Sequence, residues 1–380
     1  MEQGKKELKV ALVHDFLTQL GGAERVLMSL SDIFPDAPIY TLIYDEKIIE
    51  KKFKNKEIHA SFLQKFPACL KKRKKWLLPL LPVAPETFNL RDFDLVISSS
   101  GAWSKGIVTR LNTTHVSYLH SPMRFIWDMN GEYLYEKSTF PCVRFFTRFI
   151  LDYIRVWDKV ASDRPDYLIA NSVYTQERIR KYYGRDSKVI YPPVAGVGFE
   201  SFDSKETENK KEDYFEGKYF LIVSRLEGYK KVDAAIEAFN KMELPLLIVG
   251  TGSQEKYLKS IAGKNVKFAG FVPDGKLGTI YQNARAFIFP GVDDFGIAPV
   301  EAMAHGVPVL AIRKGGIKEI IIEGKTGEFF EASTPEVIAD GVRRFIDSEK
   351  GYDGEFIKKR AMELSEDRFK ENIKEYLANI

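Results

Sequence analysis

Cysteine is nearly absent: Cys69 and Cys142 are the only two in 380 residues. They are too few for a disulfide framework and lack metal-ligand spacing, which makes a reducing compartment the expectation. Long apolar runs are missing too. The longest beside a charge cluster, 76–85, has ten residues and three prolines, against the roughly 20 needed to cross a bilayer. The stretch MEQGKKELKVALVHDF passes from polar residues straight into a short apolar strand, so no signal peptide is expected. Gly-x-Ser-x-Gly does not occur and no Ser-His-Asp order is evident, which removes the nucleophile-elbow hydrolases. The dinucleotide fingerprint, which needs three spaced glycines and a later acid, is absent as well. There is no short repeat and no low-complexity tract.

What is present suits two packed domains. The length exceeds that of one ordinary core, and apolar residues make up 44%. Net charge is +4, but 47–75 holds eleven Lys or Arg against Glu50 and Glu57, so that segment is +9 and the rest −5. No acid occurs in 58–85. Lys71, Lys72, Arg73, Lys74 and Lys75 run into Trp76 and four leucines, the composition of a segment lying on an anionic membrane surface. A solvated basic loop is the alternative, and nucleic acid is the weaker partner for such a cluster.

Val-, Ile- and Leu-rich runs alternate with longer amphipathic stretches, the pattern of parallel strands covered by helices. Strands are expected at LKVALVH (from Leu8), APIYTLI (from Ala37), DLVISS (from Asp94), THVSYLH (from Thr114), DYLIANS (from Asp166) and SKVIYPP (from Ser187). A second set is KYFLIVSRL (from Lys218), LPLLIVG (from Leu244), NVKFAGF (from Asn265), RAFIFP (from Arg285), VPVLAI (from Val307) and TGEFFE (from Thr326). The charged segment 195–217 has no apolar period and reads as a linker. The domains expected are thus 1–194, joined by a final helix over 363–380, and 218–362. Both are doubly wound α/β units, which bind ligands beyond the carboxyl ends of their strands.

The most informative segment is DDFGIAPVEAMAHGVP, 293–308. Pro299 suits a first helical turn, and Gly306 and Pro308 stop the helix, which places its start just after Gly296. Unpaired N–H groups there favour an anion such as a diphosphate, while Asp293 and Glu301 suit hydroxyls of a sugar or ribose. Gly21 and Gly22 open a helix after the first strand, either as a tight turn or as a place for a ligand to approach the backbone. His120 ends a strand in YLHSPMRFIWD, where it can bind a hydroxyl or cap the chain. Arg225 and Lys230 stand in SRLEGYKKVD, able to neutralise a diphosphate, with Lys231 competing for that role. Gly250, Gly252, Phe271 and Val272 end two neighbouring strands, where backbone groups can hold a nucleobase or simply turn the chain. Asp92-Phe93-Asp94 and Asp293-Asp294 are weak metal patterns: the first directly precedes a strand, where Asp commonly punctuates a turn, and the second lacks further oxygen ligands.

Together these pieces resemble the retaining glycosyltransferases of family 4. The resemblance rests on GGAERV, HSPMRFIWD, ANSVYTQERIRKYYG, VIYPPV, SRLEGYKKVD and DDFGIAPVEAMAHGVPV, and covers nearly the whole chain. It implies the GT-B fold, with two facing Rossmann-like domains, a cleft between them and a last helix crossing back to the first. Within the family the chain looks most like bacterial mannosyltransferases that use GDP-mannose to build surface polysaccharides or lipid-linked glycans. The resemblance implies that Gly21 and Gly22 lie near the donor phosphates and that His120 contacts the transferred sugar. It implies that Arg225 and Lys230 bind the diphosphate, and that the N–H groups of Phe295, Gly296 and Ile297 meet sugar or phosphate. Glu301 would hold the ribose and Asp293 the sugar hydroxyls. The partners implied are a nucleotide-sugar donor, a lipid-linked saccharide acceptor and, through 47–78, the cytoplasmic face of an anionic membrane; no metal cofactor is expected. Two departures stand out: Asp293 where the family has glutamate, and Ala195 where PPVD has Asp. UDP-sugars or GDP-deoxysugars are alternative donors, and a non-catalytic binding protein is the alternative of a different class.

Overall fold

The computed structural model describes residues 8–128, 141–194, 214–215 and 217–380. Most of the expected linker, with Ala195, therefore lies outside the described residues. Two compact units result: Met1–Pro192 with Lys370–Ile380, and Pro193–Phe369.

In the first unit the strands are β1 (Val10–Leu17), β2 (Ile39–Tyr44), β3 (Ile58–Ala60), β4 (Leu95–Ser100), β5 (Thr114–Leu119), β6 (Tyr167–Ala170) and β7 (Lys188–Val189). Its helices are α1 (Gly22–Ile33), α2 (Glu46–Lys52), α3 (Ala68–Lys72), α4 (Arg124–Trp127), α5 (Pro141–Ala161) and α6 (Val173–Tyr183). The strands form one parallel sheet in the order β3-β2-β1-β4-β5-β6-β7. Helices cover a parallel sheet on both faces, so its strands read as continuous apolar runs; Leu12, Val96 and Val116 are fully buried. The six strands expected in this half are all present. β3 was not anticipated, because its three residues stand inside the basic segment; it pairs with β2, and His59 stacks on Tyr40 at 4.6 Å.

The second unit has strands β8 (Tyr219–Val223), β9 (Leu246–Val249), β10 (Val266–Gly270), β11 (Ala284–Phe289), β12 (Val309–Ile312) and β13 (Gly327–Phe330). Its helices are α7 (Val232–Met242), α8 (Glu255–Ile261), α9 (Asp274–Gln282), α10 (Ile297–Ala304), α11 (Pro335–Ser348) and α12 (Gly354–Met362). The sheet order is β10-β9-β8-β11-β12-β13, again all parallel. Phe220, Phe239 and Phe345 pack edge to face in its core. A final helix, α13 (Glu366–Ala378), begins in the second unit and ends in the first. It buries Phe369 and Ile373, two of the residues in its apolar stripe, and Lys370 reaches Asp32 of α1 at 2.8 Å.

Each sheet has one point where strand order reverses. In the first, the chain leaves β1 towards β2 and β3 and returns to the other side of β1 at β4. In the second, β8 and β11 stand in the same relation. Ligand crevices in open parallel sheets form at the carboxyl ends of such strand pairs.

Candidate active site

At the β1/β4 reversal the apolar run of β1 is interrupted by two buried polar residues, His14 and Asp15. The Asp15 carboxylate accepts the N–H groups of Gly101 (2.9 Å), Ala102 (2.7 Å), Trp103 (3.0 Å) and Ser104 (2.6 Å), so it holds the whole turn after β4. His14 Nδ1 lies 3.1 Å from Ser99 Oγ, and the same oxygen lies 2.8 Å from His120 Nε2. Glu24 Oε1 is 3.9 Å from His14 Nε2 on the far side of that ring. These residues form one polar chain, Glu24–His14–Ser99–His120, with a direction. The carboxylate beside Nε2 of His14 keeps the proton there, which leaves Nδ1 to accept from Ser99. Ser99 then accepts from Nε2 of His120, and the outer Nδ1 of His120 is left as a lone-pair acceptor.

Electrostatics agree with that polarity. Burial pushes His120 down to about 4 against the pull of Asp15 and Glu24, so the ring is neutral at pH 7. Burial raises Glu24, but the hydrogen bond with His14 and the N–H of Gly21 outweigh it and keep the carboxyl below its usual range. Asn171 Nδ2 donates to the His120 carbonyl at 2.9 Å, fixing the backbone at that point.

Gly21 is the N-cap of α1, and its N–H donates to Glu24 Oε2 at 2.8 Å; Gly22 is the first helical residue. A Cβ at Gly21 would stand 3.1 Å from that carboxylate oxygen, so the glycine keeps the cap tight. Lys74 departs from the membrane role expected of it. Its Nζ donates to Thr18 Oγ1 at 2.7 Å and lies 4.0 Å above the Phe16 ring, so it points inward beyond β1. Burial lowers its pKa, while Glu24 and Asp15 oppose that fall. Lys71 is tied to the Gln64 carbonyl at 3.1 Å, whereas Arg73 and Trp76 are exposed. The side chains of Lys72 and Lys75 lie outside the described residues.

In the second unit the β8/β11 reversal gathers the other candidates. Arg225 is exposed just past β8, with Nη2 3.3 Å from the Tyr229 hydroxyl. Lys230 Nζ meets Asp293 Oδ2 at 2.5 Å, with both side chains mostly buried. This geometry separates Lys230 from Lys231, which is exposed and takes a left-handed conformation at the start of α7. The helix expected after Gly296 is α10, and Gly296 caps it at φ 103°, a conformation suited to glycine. Phe295 is buried and Ile297 is the first helical residue. Tyr281 donates its hydroxyl to Glu301 Oε2 at 2.9 Å and stacks on His305, whose Nδ1 lies 2.8 Å from the Glu301 carbonyl. Tyr281 was not anticipated.

Gly250 and Gly252 turn out to have a packing reason. A Cβ on Gly250 would lie 1.9 Å from the Ser224 carbonyl oxygen, and one on Gly252 would lie 2.3 Å from that of Leu226. Only glycine lets the loop after β9 press against the loop that carries Arg225. Phe271 is highly exposed just past β10, and Val272 is partly buried beside it. Asp94, one of the weak metal pattern, accepts the Lys9 N–H at 3.1 Å and thereby anchors the sheet entry.

Residues 20–195 match the model described as Glycosyltransferase Family 4, and 203–367 match the one described as Glycosyl transferases group 1. The chain is a family 4-like glycosyltransferase. This glycosyltransferase is 24% identical to an uncharacterized glycosyltransferase of Methanocaldococcus jannaschii, over 90% of each chain. It is also 24% identical to the alpha-1,3/1,6-mannosyltransferase ALG2 of Debaryomyces hansenii, over 84% of this chain and 77% of that one. Among solved structures it resembles Anabaena HepE in complex with UDP-glucose, with TM-score 0.69 and 19% identity over 98% of this chain and 100% of that one. Sucrose-phosphate synthase from Thermosynechococcus elongatus follows at TM-score 0.67 and 15% identity, over 97% and 98%. With its two parallel sheets, these likenesses give the glycosyltransferase the GT-B fold.

Proposed function

We propose that the protein is a retaining mannosyltransferase that takes GDP-mannose as donor and a lipid-linked saccharide as acceptor. The observation that carries this reading is the grouping of Arg225, Lys230, Asp293 and Glu301 about one strand-order reversal, with Lys230 and Asp293 already paired. Arg225 and Lys230 bind the donor diphosphate, and Glu301, presented by Tyr281, accepts the ribose hydroxyls. Asp293 and the N–H groups at the start of α10 address the sugar. In the transfer step the bond from the anomeric carbon to the diphosphate oxygen breaks. The acceptor oxygen bonds to that carbon on the same face, and its proton passes to the departing diphosphate. Positive charge fixed beside that oxygen stabilises the transition state more than the ground state. Neutral His120 accepts a sugar hydroxyl through Nδ1.

Mannose is favoured by the similarity to the ALG2 mannosyltransferase. A UDP-linked donor is the second reading, favoured by HepE having been solved with UDP-glucose. Thermal shift with GDP, UDP and their sugars, followed by transfer from labelled GDP-mannose to a membrane lipid extract, tests both. A larger shift with UDP than with GDP replaces the mannose reading. No product from any donor leaves a non-catalytic binder. The protein works at the cytoplasmic face of a membrane, where the basic segment 47–78 meets anionic lipid.

A further inference from the structure

Helix α5 carries an apolar face that is exposed among the described residues. Phe145, Phe149, Tyr153, Val156 and Val160 recur at spacings of four, four, three and four, which puts them on one stripe, and every one is exposed, the two phenylalanines at 69% each. Soluble surfaces scatter single apolar residues, whereas a contiguous aromatic stripe marks a contact. The helix cannot roll over to hide it. On the opposite face Leu151 and Ile154 are fully buried, and Asp158 is locked by Lys105 Nζ (2.5 Å), Trp127 Nε1 (2.7 Å) and the Tyr183 hydroxyl (2.8 Å).

The same cluster that receives Leu151 and Ile154 also takes Leu77, Leu81 and Ala84 from the end of the basic segment. Trp76, 70% exposed, stands just before the first of those anchors, and Leu80 and Val83 are exposed between them. The inner face of α5 and the residues just after the basic stretch thus pack into one cluster of the first unit. Arg148, on the same helix, has its side chain 75% exposed.

We propose that α5 is the apolar half of a membrane-docking surface, lying flat on an anionic bilayer with its stripe in the headgroup–acyl boundary. The charged half rests on the reading of the basic segment given above; the aromatic half stands on the geometry of α5. At 21 residues the helix is about 31 Å long at 1.5 Å per residue. Among the described residues no helix is long and apolar enough to cross a membrane, and the fixed inner face of α5 requires a parallel rather than a spanning placement. An anionic surface suits the flanking cations. A second copy suits them poorly, because a two-fold contact would set the same basic patch against itself.

Flotation of the full chain with vesicles of phosphatidylglycerol and phosphatidylcholine tests the proposal. The double variant Phe145→Ser/Phe149→Ser is expected to lower the bound fraction at least tenfold, with an unchanged circular dichroism melt because both side chains are exposed. Leu111→Ser, fully exposed but off the stripe, is expected to bind like the parent chain. Wild-type binding by the double variant overturns the proposal for α5, whatever salt does. Binding that is lost in the double variant but is indifferent to salt and to phosphatidylglycerol content overturns the charged half alone. A dimer in sedimentation equilibrium that the double variant abolishes, with flotation unaffected, replaces the bilayer by a second copy.

Discussion

Ser99→Ala removes the one oxygen that joins His14 to His120, and its consequences differ for the two rings. His14 is almost wholly buried, so its Nδ1 loses the 3.1 Å partner and water cannot take its place. An unmet buried polar group costs roughly 1–3 kcal/mol, so a loss of about 2 kcal/mol in the first unit is expected. His120 is only partly buried, and water can satisfy Nε2 at little cost in stability. It does lose the 2.8 Å bond that fixes the ring and its tautomer. A neutral hydrogen bond contributes about 0.5–1.5 kcal/mol, which sets the expected fall in kcat/KM at roughly twofold to thirteenfold, with the donor KM unchanged. Trp76, Trp103, Trp127 and Trp157 are all in the first unit, so tryptophan emission in urea reads its stability apart from the second. Transfer from labelled GDP-mannose reads the rest. A variant that shows the stability loss but full kcat/KM would refute the positioning role of Ser99 and reduce the chain of residues to a structural device.

Arg225→Ala and Lys230→Ala are each expected to weaken nucleoside diphosphate binding by roughly 1.5–3 kcal/mol, a factor of about 10 to 150 by calorimetry; near-normal binding in both removes the diphosphate assignment. Gly250→Ala places a Cβ 1.9 Å from the Ser224 carbonyl at φ 126°, and should cost about 2–5 kcal/mol in the second unit, read by calorimetric melting. His115 and His120 are held neutral, at about 3 and about 4, mainly by burial. Their folded values lie below the unfolded one of about 6.5, so the unfolded chain takes up protons first as pH falls. First-unit stability should therefore be intact above about pH 6.5 and decline progressively towards pH 4, and a flat urea midpoint between pH 7 and 5 would count against it.

The strands were legible because parallel sheets buried on both faces need uninterrupted Val, Ile and Leu, and those runs are local in sequence. The α10 start was legible for a similar reason: Gly296 and Pro299 are neighbours whose backbone preferences act over one turn. His14, Ser99 and Glu24 escaped notice because their meaning is spatial. Ser99 lies 85 residues from His14, and only the β1/β4 pairing brings them together. The available signal was the pair His14-Asp15 interrupting an otherwise apolar strand, where two polar residues need a reason to be buried. Lys74 misled for the opposite reason: it shares its composition with four neighbouring cations, but Phe16 and Thr18 draw it inward. Tyr281 is a core residue apart from the hydroxyl it lends to Glu301, and nothing in its local sequence marks that role.

The ring of amides around Asp15 bears on how this protein recognises ligands. Four successive N–H groups fastened to one carboxylate leave the turn after β4 with almost no backbone freedom before any ligand arrives. A molecule settling against that turn loses its own freedom but does not have to order the protein's. A ligand that packs there would be selected by shape and desolvation, with little accommodation by the backbone of that turn.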